Sequence, residues 1–170
     1  ILEKMKADMG VYSVLGNHDY GDYVNWGSDQ AKLNNLNDLK AAHKQMGWNL
    51  LLDEHTPLRV DGEELGILGV ENWGNSFAQY GNLQNAIKNA EYEAKILLSH
   101  DPSHWDGQIR SMAPDIDLTL AGHTHGMQFG VELGDFRWSP VKYKYKQWAD
   151  LYTEGNQHLY VNRGFGFIGF

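Results

Sequence analysis

The 170-residue sequence contains no cysteine. Disulfide frameworks, thiolate metal sites and cysteine nucleophiles are thereby excluded. No stretch approaches the ~18 consecutive apolar residues that span a bilayer as a helix, and no signal peptide is visible. Basic residues are few: 14 stand against 22 acidic ones, for a formal net charge of −8. A duplex DNA binder carries a basic footprint, so the balance argues against that partner. A phosphorylated substrate stays open, because bound metal ions reverse the local sign. There is also no Gly-x-Ser-x-Gly elbow, which weighs against a serine hydrolase built on Ser99, Ser103 or Ser111.

What remains is ordinary for a globular chain: 42% hydrophobic and 21% charged residues. The length predicts one domain over residues 1–170. Leu2, Met5 and Met9 fall at helical spacing before Gly10 and read as the tail of a helix. The run from Tyr160 to Phe170 ends as an aromatic, glycine-rich strand. Both ends look cut, so the expectation is a piece of a longer domain.

Between the ends, Val11 to Leu15 reads as a buried strand leading into a loop at Gly16-Asn17-His18-Asp19. Ser28 or Asp29 caps a helix whose face carries Leu36, Leu39, His43 and Met46, with Gly47 as its stop. Trp48 to Leu52 is a strand, and Asp61-Gly62 joins two strands as a hairpin. Asn82 starts a short helix through about Asn89. Lys95 to Ser99 and Ile116 to Ala121 are buried strands, each followed by a loop. Strands dominate after that. Helices and strands alternate early and strands prevail late, which gives an α/β layered domain.

Eight histidines are present, and four of them follow apolar runs directly: His18, His100, His123 and His125. Loops at the ends of buried strands are where α/β sheets place their chemistry. Convergence of three such loops would gather imidazoles and the Asn17 amide in one cleft. Imidazole suits zinc, iron, manganese or copper, and an amide oxygen adds a hard ligand. On an extended backbone His123 and His125 point the same way. Gly122 and Gly126 then allow close backbone approach around a crowded site. His43, His55 and His158 read as solvated or packed.

The motifs Gly16-Asn17-His18-Asp19, Ser99-His100-Asp101-Pro102 and Gly122-His123-Thr124-His125, in that order, resemble the calcineurin-like metallophosphoesterase family. The resemblance runs from about Val11 to Gly166. With Asn162-Arg163-Gly164 near the end, it is nearest in texture to bacterial membrane-associated and UDP-2,3-diacylglucosamine pyrophosphatase-like members. It implies an α/β fold of two packed mixed β-sheets flanked by helices, here incomplete at the N-terminus. It also implies hydrolysis of a phosphodiester or pyrophosphate bond by water activated between two divalent metal ions (Mn, Fe or Zn). By motif, Asn17, His100 and His123 would ligate one ion and His125 the other. His18 would be the catalytic histidine beside the leaving group, and Asp19 would hold its ring. The family's Asp-x-His and Gly-Asp motifs lie upstream of Gly-Asn-His, and the 15 residues before Gly16 contain no histidine. Gly21-Asp22 and Gly134-Asp135 have the right letters in the wrong order and read as turns. The chain therefore resembles the C-terminal part of such a domain, with about half of the metal shell in a missing N-terminal segment. The isolated chain is expected to be inactive; the alternative is a non-catalytic metal-binding or scaffold domain.

Substrate signals are weaker. Arg137 to Tyr152 mixes aromatic and basic residues. As a strand it would set Lys142, Lys144 and Lys146 on one face and Tyr143 and Tyr145 on the other. That ribbon would suit a lipid-linked substrate or a membrane surface, or it is an aromatic edge strand with solvated lysines. Trp73, Phe77 and Tyr80 either line the cleft or anchor a long loop. Arg163 is a candidate phosphate contact or a strand-end ion pair, and His104 either faces the cleft or packs. The expected partner is a phosphorylated small molecule or lipid-linked substrate, not a nucleic-acid duplex.

Overall fold

A computed structural model describes residues 2–134 and 136–164 of the chain. The first strand, β1 (Tyr12–Ser13), pairs in parallel with β2 (Asn49–Leu50), and α1 (Asp29–Gln45) connects them. The Ser28 side chain accepts from the Ala31 N–H at 3.1 Å and caps that helix. At its other end Gly47, at φ +76°, lets the Trp48 N–H reach the His43 carbonyl and the Gly47 N–H reach the Lys44 carbonyl. This double bond pattern terminates a helix on a left-handed residue that only glycine adopts freely. Leu36, Leu39, His43 and Met46 share the half-buried face as expected, and the His43 Nδ1 bonds Ser13 Oγ at 2.9 Å to tie α1 to β1.

The main sheet has six strands in the order β3-β4-β5-β6-β10-β9. These are β3 (Glu54–Val60), β4 (Glu63–Gly69), β5 (Ala94–Leu98), β6 (Leu118–Ala121), β9 (Asp150–Glu154) and β10 (Gln157–Val161). The hairpin β3–β4 turns at Asp61-Gly62, where Val60 faces Glu63. The four inner strands β4, β5, β6 and β10 run parallel, and the two edge strands are antiparallel to their neighbours. A parallel sheet must be covered. Here α2 (Leu83–Ile87), capped by Asn82, supplies Leu83 and Ala86 to the core. A π-helical turn at Trp105–Ile109, running into α3 (Arg110–Met112), adds Trp105 and Ile109. They pack with Leu68, Val70, Leu97, Leu159 and Val161 of the sheet and its edges. Each such side chain stabilises the fold by about 1.5–3 kcal/mol on burial.

The α/β class with a mixed sheet and covering helices holds. Among the described residues the expected second mixed sheet is not seen: besides the six-stranded sheet there are only the parallel pair β1–β2 and a hairpin that joins β7 (Val131–Leu133) to β8 (Phe136–Trp138). Three local expectations are corrected. The N-terminal segment is a single 3-10 turn at Leu2–Lys4, and Leu2, Met5 and Met9 stay exposed instead of forming one buried helix face. The segment after Ser99 is helical from Ser103: the Asp101 carboxylate accepts from the Ser103 N–H at 2.8 Å and caps it, with Pro102 next. The ribbon from Arg137 to Tyr152 is not one strand. Ser139 caps a 3-10 turn at Pro140–Tyr143, which breaks the alternation. Tyr143 is exposed, whereas Tyr145 and Trp148 turn inward with Val141 and Ala149 as a second apolar cluster. The end of the Tyr160–Phe170 run, residues 165–170, lies outside the described residues, as does Asp135.

Candidate metal centre

Parallel strands deliver their C-terminal ends to one edge of a sheet. The loops after β4, β5, β6 and β10 carry Asn72 to Gly74, Ser99 to Asp101, Gly122 to His125, and Asn162-Arg163. The Gly16-Asn17-His18-Asp19 turn after β1 meets them there. Its shape comes from Asp19, whose carboxylate accepts from the Gly16 N–H at 2.7 Å. Gly16 itself packs on the His100 ring, and a Cβ there would lie 2.7 Å from His100 Cε1.

Asn17 Oδ1 lies 3.0 Å from His100 Nε2 and 3.1 Å from His123 Nδ1, and those two nitrogens are 3.1 Å apart. The Asn17 amide is turned this way because its Nδ2 donates to Tyr23 Oη at 2.8 Å. Three atoms in a near-equilateral triangle cannot all satisfy one another: a neutral pair of imidazoles brings too few protons in the right places. Ligands at right angles around an ion at about 2.2 Å lie about 3.1 Å apart, so the triangle matches one face of an octahedron. Burial, reinforced by His123, His125 and His18, lowers the His100 pKa to about 3. Burial also lowers that of His123, against the pull of Asp101. Both rings are neutral at physiological pH, the state in which imidazole binds metal.

On its far side His123 Nε2 is 2.7 Å from Tyr145 Oη, and Tyr145 donates to the buried Asp101 Oδ2 at 3.4 Å. Burial, then Asp101, pushes the Tyr145 phenol upward, so it stays protonated. Phe77 packs edge-on against His123 with centroids 4.7 Å apart. Tyr145 and the role of Asp101 were not anticipated. Of the aromatic group 73–80, Phe77 reaches the site, Trp73 stacks on His104 and Tyr80 stacks on Tyr20.

His125 does not join the triangle. The loop is not extended: His123 has φ +66° and His125 φ +50°, with Thr124 right-handed between them. Such left-handed non-glycine residues cost of order 1–3 kcal/mol each and persist where the surroundings hold them. The His125 Nδ1 is buried without a hydrogen-bond partner. Its ring lines a cavity of about 370 Å³ walled by Phe129, Trp138, Trp148 and Arg163. His18 is exposed, its ring 4.7 Å from that of Tyr23. Among the described residues no hydrogen bond joins it to Asp19, whose carboxylate accepts from the Gly16 N–H instead. Arg163 pairs with Glu132 at 2.6 Å at the strand end while lining the cavity. His104 is fully buried, with Nδ1 on Ser99 Oγ at 2.8 Å and Nε2 on Gln108 Oε1 at 3.0 Å. It packs rather than facing the cleft. Asp22, in the Gly21 turn, pairs with Lys32 and accepts from Tyr80.

The chemistry of the donors at Asn17, His100 and His123 fits a divalent ion, and the His125 Nδ1 is a further buried donor atom without a partner. Among the described residues no group of three or more His, Cys, Asp or Glu side chains converges as a metal cage. What is assembled is an amide and two imidazoles, without the carboxylates that would complete it.

Comparison with known proteins shows what the whole chain is similar to. The family model described as calcineurin-like phosphoesterase matches residues 1–127. The Bacillus subtilis uncharacterized metallophosphoesterase YkuE is 26% identical over 98% of the chain and 52% of its own length. The Escherichia coli phosphodiesterase YaeI is 28% identical over 72% of the chain and 42% of its own length. A bovine transmembrane protein with metallophosphoesterase domain is 27% identical over 99% of the chain and 37% of its own length. The chain thus spans about half or less of these relatives. The fold resembles that of the Thermus thermophilus sulfate thiohydrolase SoxB, at TM-score 0.51 and 16% identity over 89% of the chain and 27% of that protein. With three loops converging on one amide–imidazole triangle and the family model covering most of the sequence, the chain belongs to the calcineurin-like phosphoesterase family.

Proposed function

We propose that this chain carries the histidine half of a dinuclear metal centre that hydrolyses phosphodiester or pyrophosphate bonds. The observation that supports it is the triangle of Asn17 Oδ1, His100 Nε2 and His123 Nδ1. These three would hold one ion, and His125 would hold the other. Bound divalent metal supplies charge to phosphate oxygens and lowers the pKa of water. His18, exposed at the lip of the site, sits free to bind or protonate the leaving oxygen. Asp19 shapes the turn that presents it. Arg163 would meet an anionic group of the substrate if its pair with Glu132 opens.

The substrate we favour is a phosphorylated small molecule or lipid-linked phosphate. The aromatic cavity beside His125 supports an organic substituent, and the exposed Phe129, Leu133 and Phe136 beside it support work at a membrane surface. The net charge of −8 weighs against a nucleic-acid duplex. The second reading is a metal-binding or scaffold domain, and the absence of a carboxylate cage among the described residues favours it for these 170 residues alone.

The test is turnover of a panel of phosphodiesters, pyrophosphates and phosphomonoesters with added manganese. It compares this chain with a longer form carrying upstream Asp-x-His and Gly-Asp motifs. We expect turnover from the longer form and little from the isolated chain. His18→Ala in the longer form should lower turnover about 100-fold or more while manganese content holds. Silence of the longer form across the panel would sink the enzyme reading. Equal loss of turnover and metal in His18→Ala would make His18 a ligand.

A further inference from the structure

We propose that Tyr145 and Asp101 are a positioning pair that fixes His123 as its Nε2–H tautomer, leaving the Nδ1 lone pair facing Asn17 and His100. The inference rests on the metal-centre reading for its purpose, but not for its geometry.

The argument is an accounting of protons. Asp101 is 1% exposed. Its Oδ1 accepts from the Ser103 N–H at 2.8 Å. Its Oδ2 has Tyr145 Oη at 3.4 Å and His123 Nε2 at 3.6 Å. A carboxylate accepts and does not donate, so Tyr145 keeps its single phenolic proton and directs it toward Asp101 Oδ2. Tyr145 Oη is then an acceptor toward His123 Nε2, 2.7 Å away. That nitrogen must carry the ring proton. In the other tautomer Tyr145 would have to donate to Nε2, and the buried Asp101 Oδ2 would lose its donor. Leaving a buried acceptor unpaired costs about 1–3 kcal/mol, more when it is charged. The competing Nδ1–H would donate to Asn17 Oδ1 at 3.1 Å but leave the buried Asp101 Oδ2 without its donor, so the pair weights the balance toward a bare Nδ1 aimed at the triangle.

The setting around the pair is built for close approach. A Cβ on Gly74 would lie 2.3 Å from Asp101 Oδ2, so this glycine leaves room for the carboxylate. Tyr145 reaches the site because Val141, Trp148 and Ala149 bury it. The loop carrying His123 is held at a positive φ, and the Tyr145 bond is one of the contacts that hold it there. Groups behind a metal-bound histidine set its orientation in this way, and removing them costs about 10–100-fold in metal affinity.

The test reads the tautomer directly, on the metal-free chain. Histidine ring nitrogens labelled with ¹⁵N are assigned for residue 123 by the signal lost in His123→Gln. The expected result is a protonated Nε2 and an unprotonated Nδ1. Tyr145→Phe, which removes one oxygen and keeps the ring, should mix the tautomers and weaken manganese binding by about 10–100-fold in calorimetry. Asp101→Asn serves as a second variant and should also disturb the tautomer. A proton on Nδ1 in the unaltered chain would overturn the proposal, as would a Tyr145→Phe chain with unchanged tautomer and unchanged affinity. An unaltered chain with Nε2–H in place but no manganese binding would uphold the positioning pair and defeat the metal-centre reading, so the two fail separately.

Discussion

Asn17, His100 and His123 come from loops 106 residues apart at the extremes, yet their polar atoms sit within 3.1 Å of one another. Each is held from behind: Asn17 by Tyr23, His123 by Tyr145, and His100 by its packing on Gly16. At this scale the burial of histidine has a measurable consequence. Burial lowers the pKa of His100 to about 3 and that of His104 to about 4. Both start from an ordinary value of 6.5. Between those values the unfolded chain binds protons that the folded chain refuses. The stabilisation is therefore complete above about pH 6.5 and is lost as the pH falls toward 4 and 3. Denaturant titrations of the metal-free chain should show stability declining through this window by up to about 1.4 kcal/mol per pH unit for each histidine. His104→Gln should flatten the slope, and an unchanged slope in that variant would show that His104 is not refused its proton. The histidines and Asn17 were legible in the sequence because they stand directly after apolar runs. Tyr145 was not, since its neighbours alternate lysine and aromatic like a strand. Asp101 was visible as a letter of its motif but not as a partner of His123, which lies 22 residues further on.

Elements were legible where capping chemistry was local. Ser28 before α1, Gly47 after it, Asn82 before α2 and Asp61-Gly62 between β3 and β4 all act within a few residues, and all were read correctly. Ser28→Ala should therefore cost about 1 kcal/mol in denaturant unfolding, while leaving the metal site alone; a neutral effect would show that α1 is held by packing rather than by its cap. The helical segment after Asp101-Pro102 was missed although its signal was present, an acceptor followed by proline at the first turn. The error at 137–152 has another cause. Period-two alternation over Lys142 to Lys146 was real, but Ser139-Pro140 starts a turn that no alternation overrides. The positive φ values at His123 and His125 follow from tertiary contacts, so the assumption of an extended backbone failed there.

On the scale of the whole molecule, one sheet direction explains the site. Four parallel strands bring their ends to one edge, and the loops there supply two imidazoles of the triangle, Asp101 and Arg163. Of the other imidazoles in the proposal, His18 is exposed and His125 faces a cavity lined by Phe129, Trp138, Trp148, Glu132 and Arg163 rather than the triangle. The α/β class and the strand-end edge were readable from the order of apolar runs, whereas the mixed sheet was implied by the family resemblance alone. The covering of that edge by residues 139–149 was not, because it depends on Tyr145, Trp148 and Val141 finding a cluster of their own. The central claim is that Asn17, His100 and His123 together receive a divalent ion, and the most direct measurement is anomalous diffraction from crystals of this chain soaked in manganese. The account predicts a peak about 2.2 Å from Asn17 Oδ1, His100 Nε2 and His123 Nδ1 alike. A peak placed elsewhere, or none at saturating manganese with the triangle intact, would contradict it.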